Sequence, residues 1–477
     1  MPPHDHPLQL SRRAFFTSTA SGLGTAALGS LLARDTVGAA TTQGPLSVRQ
    51  PHHPARAKHC IFIFLAGGIS QVDLFDPKPK LRQLAGQRLP QSFFEGQRFS
   101  NIKREEALVM PGRFPFRRHG ASGMELATVL PHLGARADDL TLVRSMHTDE
   151  FDHAPAEIFF NTGVNTPGRP SAGAWVCYGL GSESANLPGY VVLMTGRAPV
   201  SRTSAWGSSF LPNATAGVMF RDQGEAVLNL NNPAGITRPQ QQAQLRAIRA
   251  LNQHRFQYLR DPAIRNRIDA YEMAFRMQFA APELNDLSTE NKATHAAYGT
   301  GRPGESGSFS RNCLLARRLT ERDVRFVSIF HRRWDHHAGL HKKTEAGCEI
   351  IDRPVATLIG DLKQRGLLED TLVVLASEFG RTPVTENSGI DLSAGRDHHR
   401  YGFSILMAGG GTRPGHIVGS TDELGWHAVK DPIHVNDFHA TLLHLMGLDH
   451  HRLTFRSKGL DVRLTNLGGH VAKQVLA

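Results

Sequence analysis

The stretch Leu372–Gly380, LVVLASEFG, limits the fold more than any other part of the chain. Leu372 to Ala376 is an unbroken apolar run with paired valines. Such a run belongs to a strand buried on both faces, as in a parallel sheet covered by helices on each side. It stops at Ser377-Glu378, and Gly380 lets the backbone turn. Ligands of open α/β sheets lie beyond the carboxyl ends of the strands, so Glu378 is predicted to face a site. Just upstream, apolar residues recur at Ile350, Ile351, Val355, Leu358, Ile359 and Leu362. That spacing predicts a helix over 348–366, closed by Gly366.

Two segments rich in histidine and carboxylate flank this element. SIFHRRWDHHAGLH (Ser328 to His341) overlaps the apolar run Val324–Phe330, and GRDHHRYGF (Gly395 to Phe403) precedes the run Phe403–Ala408. Three strand ends carrying Asp, Glu and His predict a metal cradle, and the 25 histidines of the chain fit that reading. The candidates are Asp335, His336, His337, His341, Glu378, Asp397, His398 and His399. Mixed imidazole and carboxylate sets suit zinc, manganese or iron, whereas oxygen-only sets suit calcium or magnesium. The expected cofactor is a divalent metal, with zinc, manganese or calcium as candidates. Arg381 and Arg396 flank the set and are candidates for gripping a phosphate or sulfate through two parallel hydrogen bonds. His439 and His444 fall in an amphipathic helix and are expected to be structural.

The rest of the chain sets bounds. Its 477 residues, 40% hydrophobic, suffice for one large α/β domain or two smaller ones. The net charge of +11 is dispersed, with no basic run and no nucleic-acid motif, so it reads as solubility and attraction to anionic substrates and not as a nucleic-acid footprint. The four cysteines are far apart and predict buried free thiols. Near the amino terminus, Ser11-Arg12-Arg13-Ala14-Phe15-Phe16 opens a Gly/Ala/Ser-rich stretch that reaches Leu32, and Val37-Gly38-Ala39 offers a cleavage site. This resembles a twin-arginine export signal, too short and weakly apolar to hold a membrane span. The expected organisation is a leader at 1–39, a linker at 40–58 and a folded domain at 59–477. The twin-arginine machinery is then a partner, and the location is periplasmic or extracellular.

Within the domain, the first strand is expected at His59–Ala66, ending in Gly67-Gly68. Asp73 follows that strand end and is a candidate ligand, whereas Asp76 before Pro77 reads as a turn starter. Further elements are a helix at Leu126–Ala137, a strand at Leu140–Val143, a short helix within HAPAEIFFNTG (His153 to Gly163), a helix at Ser171–Leu180 and a strand at Tyr190–Met194. Residues 198–308 have weak patterning apart from two helical runs, and they read as an inserted cap.

AGGISQVDLFDPKP (Ala66 to Pro79), WDHH, ASEFGRTP (Ala376 to Pro383), GRDHH, MAGGG, GSTDELG (Gly419 to Gly425) and the stretch Asn436–Thr465 together resemble the DUF1501 family of exported bacterial proteins, grouped with the alkaline phosphatase and sulfatase superfamily. The resemblance implies a mainly parallel sheet between helices, alkaline-phosphatase-like, and a metal-dependent hydrolase of phosphate or sulfate esters. It implies metal ligation by Asp335, His337, Glu378 and His398 or His399, with Asp73 completing the site. Glu378 stands at a metal-binding Asp position of the superfamily and Phe379 at a metal-binding His position. HAPAEIFFNTG is similar in spacing to the sulfatase nucleophile motif, with His153 where the nucleophile would be; His153 is then a covalent acceptor or general base. Because these positions are substituted, the alternative is a non-catalytic exported protein that binds a metal or a partner on the same scaffold.

Overall fold

The computed structural model describes residue 44 and residues 46–477, except 229, 231–234, 236, 260–261 and 387–388. The leader read at 1–39 and the start of the linker lie outside the described residues.

The first strand, β1 (His59–Ala66), is buried along its whole length. Its side chains alternate between two separate cores. Ile61, Ile63 and Leu65 join one, and Cys60, Phe62, Phe64 and Ala66 join the other. A strand apolar on both faces needs cover on both, and helices provide it. One face is covered by α5 (Gly304–Thr320) and α6 (Leu340–Gln364), through residues such as Phe309, Leu314, Ile351 and Leu358. The other is covered by α1 (His153–Thr162), α2 (Ala172–Leu180) and α7 (Val435–Leu445), through Phe160, Trp175, Phe438 and Leu442. Each such aromatic or branched side chain, fully buried, is worth about 1.5–3 kcal/mol of transfer free energy.

Around β1 the sheet has nine strands among the described residues. The others are β2 (Leu140–His147), β3 (Tyr190–Thr195), β4 (Val218–Phe220), β5 (Phe326–Arg332), β6 (Thr371–Ala376), β7 (Phe403–Ala408), β8 (His416–Val418) and β9 (Ile433–His434). Their order is β8-β2-β7-β6-β1-β5-β3-β4, with β9 beside β2. Pairing is parallel throughout except at β7, which runs antiparallel to both β2 and β6. The mainly parallel sheet between helices expected from the sequence is the fold observed. The reversal of β7 matters for the site. The start of β7, where the GRDHH segment arrives, lies at the same sheet edge as the carboxyl ends of β1, β5 and β6.

Some local readings change. The helix expected at 126–137 is a strand, Met124–Ala127, followed by a single helical turn, Pro131–Gly134. Pro131 sits at the start of that turn and keeps Leu130, the residue before it, out of helical backbone. Helix α6 begins at Leu340, not near 348, so His341 lies in its first turn and stacks on Phe114 with ring centroids 4.9 Å apart. The stretch 198–308 contributes β4 to the sheet edge and two long helices, α3 (Arg238–Leu259) and α4 (Pro262–Asn285). All four cysteines are free and buried. Among the described residues no helix is long and apolar enough to cross a membrane.

Candidate metal centre

Beyond the ends of β1, β5 and β6, four donor atoms meet. Asp335 Oδ1 lies 3.2 Å from His153 Nε2, 2.7 Å from His337 Nε2 and 3.4 Å from His398 Nε2. His337 Nε2 and His398 Nε2 are themselves 3.1 Å apart. Asp335 and His337 follow β5, His398 precedes β7, and His153 opens α1.

The far nitrogen of each imidazole is held by an acceptor. His153 Nδ1 meets Glu378 Oε1 at 2.7 Å, His337 Nδ1 meets the Glu386 carboxylate, and His398 Nδ1 meets the Phe151 carbonyl at 2.7 Å. A carbonyl only accepts, so His398 carries its proton on Nδ1 and turns a lone pair inward from Nε2. Carboxylates at the other two rings favour the same tautomer. Three imidazole nitrogens and a carboxylate oxygen then point at one another, which is repulsive unless a proton or a metal ion lies between them. Histidine ligands to metals have this second bond to a carboxylate or carbonyl as a rule.

The surroundings bias the charges. Burial disfavours a charged His153, but its hydrogen bonds to Asp335 and Glu378 and their charges outweigh it, and its pKa is raised to about 9. In the metal-free protein His153 therefore carries a proton that a bound metal must displace. Burial opposes ionisation of Asp335, yet the three histidines and Arg381 hold its pKa well below the usual carboxylate range. Burial lowers the pKa of His398, while the hydrogen bond to Asp335 raises that of His337. Phe379 packs its ring 5.1 Å from that of His153 and 4.5 Å from that of His398. It walls one side of the cluster and fixes both rings. The Asp335 side chain remains 43% exposed while that of His398 is 3% exposed, so the cluster opens to solvent on the Asp335 side.

Two glycines allow the close approach. Gly67 has φ +124°, and a Cβ there would fall 2.5 Å from the Asp335 nitrogen; Gly68, at φ +76°, would strike Phe379. Their amides also fasten the end of β6, with Gly67 N donating to Glu378 at 2.8 Å and Gly68 N to Ser377 Oγ at 3.0 Å.

The remaining candidates read from the sequence go elsewhere. Asp73 is fully buried in an ion pair with Arg396 at 2.9 Å and is no part of the cluster. Arg396 gives its other hydrogens to the carbonyls of Thr382, Met110 and Pro111, so this guanidinium is structural. Arg381 reaches the cluster, donating to Asp335 at 2.7 Å, but it is also committed to the carbonyls of Gly67, Gly68, Trp334 and Arg396. It positions Asp335 and has little left for an anionic substrate. His399 turns away and meets the Trp426 carbonyl, because neighbouring residues of an extended segment point to opposite sides. His336 bonds Thr344 and the Arg333 carbonyl. Asp397 accepts from the amides of Asn101, Ile102 and His398. Glu378 lies behind His153 and is held there as an acceptor.

Sequence reading missed Glu386 and the Phe151 carbonyl and gave Glu157 no role at the site. Glu157 is buried in α1, with ligand-grade atoms of His153, Glu157 and Glu378 all within 4.8 Å of one another. Its carboxyl is pushed up to about 7 by burial and by the charge of Glu378. A lone acid in the otherwise apolar segment AEIFF was the available signal.

A mainly parallel α/β sheet with histidines and carboxylates gathered at one edge defines the class of this protein. The DUF1501 family, described as a protein of unknown function, matches residues 57–476, and the chain belongs to that family. No curated protein matches the sequence. Among solved structures, the chain is similar to the lipoteichoic acid synthase LtaP from Listeria monocytogenes, with 10% identity over 90% of this chain and 80% of that one and a TM-score of 0.37. It is also similar to the phosphonate monoester hydrolase SpPMH from Silicibacter pomeroyi, with 13% identity, 82% and 73% coverage and a TM-score of 0.30. A third is the PsFucS1 sulfatase from Pseudoalteromonas sp., with 10% identity, 82% and 68% coverage and a TM-score of 0.32.

Proposed function

We propose that this protein is a metal-dependent hydrolase of phosphate or sulfate esters that works outside the cytoplasm after twin-arginine export. The observation that carries the reading is the convergence of His153, His337 and His398 Nε2 with Asp335 Oδ1, each imidazole anchored through Nδ1. Three nitrogens and one oxygen with no thiolate suit zinc, manganese or iron, while calcium, also expected from the sequence, is the poorest match because it seeks six to eight oxygens. Access from solvent along Asp335 favours a catalytic site over a closed structural one.

A divalent ion held there supplies Lewis acidity and positive charge to an anionic ester. The protein's own groups do the positioning. Asp335 and the three histidines hold the ion, Glu378, Glu386 and the Phe151 carbonyl fix the ring orientations, and Arg381 pins Asp335. His153 has both ring nitrogens engaged, so it serves as a donor to the ion and not as a covalent acceptor. Ester cleavage then adds water directly, releasing an alcohol and phosphate or sulfate.

One observation favours the alternative of a non-catalytic metal-binding protein. Both arginines expected to grip the anion are committed to carbonyls and carboxylates inside the fold. Elemental analysis of protein purified without chelator or affinity histidines decides the first question, with His398→Ala as control. About one metal per chain, absent in the variant, is expected; folded wild-type protein without metal ends both readings. Incubation of loaded protein with aryl phosphates and aryl sulfates decides the second, since metal without turnover leaves the binding protein.

A further inference from the structure

Helix α3 packs on α4. Its half-buried positions, Gln241, Leu245, Asn252 and Phe256, recur at intervals of four, seven and four and mark the packed face, and Arg249 ties the helices through Glu272 at 2.9 Å. The neighbouring face carries Ile248, Leu251, Tyr258 and Leu259, which are 41–75% exposed. Arg255 sits among them, three residues before Tyr258 and four after Leu251. Single exposed apolar side chains are ordinary on a soluble protein. Four large ones on one helical face call for a partner.

Charge says which kind. Residues 239–259 include Arg246, Arg249 and Arg255 and no Asp or Glu. Arg246 and Arg255 form no ion pair among the described residues. The face is a ridge of one helix, apolar along its crest and positive at its centre, where Arg255 sits, while Arg246 projects from the far side of the helix. A ridge of one charge sign suits a broad, fluid, negative surface better than a fitted protein groove. Arginine stems lie along apolar material while their heads reach phosphate, and a tyrosine prefers the boundary between the two. We propose that α3 docks this protein, lying in the plane of the interface, on an anionic phospholipid surface. This inference is independent of the metal centre.

The test is co-sedimentation of the full chain with vesicles of pure phosphatidylcholine and of an equimolar mixture of phosphatidylglycerol and phosphatidylcholine. The comparison is the double variant Leu251→Glu/Tyr258→Glu, whose substitutions fall on exposed positions. Wild-type protein is expected to sediment with the anionic vesicles only, to be released by high salt, and to lose at least tenfold in affinity in the double variant. Four results overturn the proposal. These are equal binding to both vesicles, no binding to either, binding that survives the double substitution and so resides elsewhere in the chain, and a dimer in light scattering that the substitutions dissolve while vesicles bind neither protein.

Discussion

Replacing Glu378 by glutamine probes the proposed centre from behind. The carboxylate is fully buried and accepts from His153 Nδ1 at 2.7 Å, Gly67 N at 2.8 Å and Ser377 Oγ at 3.0 Å. Glutamine can keep its oxygen toward His153 and Gly67, which both donate, and turn its amide toward Ser377. The shape survives and the charge goes. Removing the acceptor charge behind a ligand histidine costs about 10–100-fold in metal affinity, or roughly 1.4–2.7 kcal/mol. Folding stability is expected to change much less. The hydrogen bond to His153 loses its charge assistance, but Glu157, pushed up to about 7 partly by the charge of Glu378, is relieved of a like neighbour in a dry site. Zinc affinity is measured by competition with a chromophoric chelator, and stability by urea unfolding of the metal-free proteins. Unchanged affinity in a folded Glu378→Gln protein would refute the orienting role. A loss as large as that of His398→Ala would show instead that Glu378 ligates the metal itself, as the sequence was read.

Three further outcomes follow from the same geometry. Glu386→Gln keeps an acceptor for His337 but removes its charge, and metal affinity should fall about tenfold; no change in the chelator competition counts against His337 as a donor. Arg396→Met strands the buried Asp73 carboxylate and should cost about 3–5 kcal/mol in urea unfolding, with much of it recovered in Asp73→Leu/Arg396→Met; a single variant as stable as wild type defeats the structural reading of that pair. His439 is fully buried and its pKa is lowered by burial to about 4 from 6.5. The unfolded chain therefore binds more protons than the folded one below pH 6.5, so this stabilisation is complete above that pH and lost as pH falls toward 4. It amounts to roughly 3 kcal/mol, and His439→Gln should flatten the fall of the urea midpoint between pH 6.5 and 4.5.

Much of the site could be seen in the sequence because its residues lie at ends of apolar runs. Glu378 after LVVLA, WDHH after VSIF and HH before FSILMA all fall at one sheet edge, the last because β7 is reversed. What the sequence could not resolve was direction and partnership. Of His398 and His399, adjacent on an extended segment, one faces the cluster and the other the Trp426 carbonyl; alternation permits either choice until the sheet fixes the phase. Asp73 has the address of a ligand, but Arg396, 323 residues away, neutralises it. Two of the three acceptors behind the imidazoles left no pattern, since a backbone carbonyl at Phe151 has no sequence signature and Glu386 arrives from a loop.

The histidines and Asp335 come from three places in the chain, at 153, 335–337 and 398, with Arg381 from a fourth. Until β1, β5, β6 and β7 lie side by side, no short segment offers more than Asp335 and His337 together. An ion seated in such a cradle is captured only after the sheet has closed. Under the proposed function, the compartment in which the chain folds, and not the one to which it is exported, would decide which metal it carries.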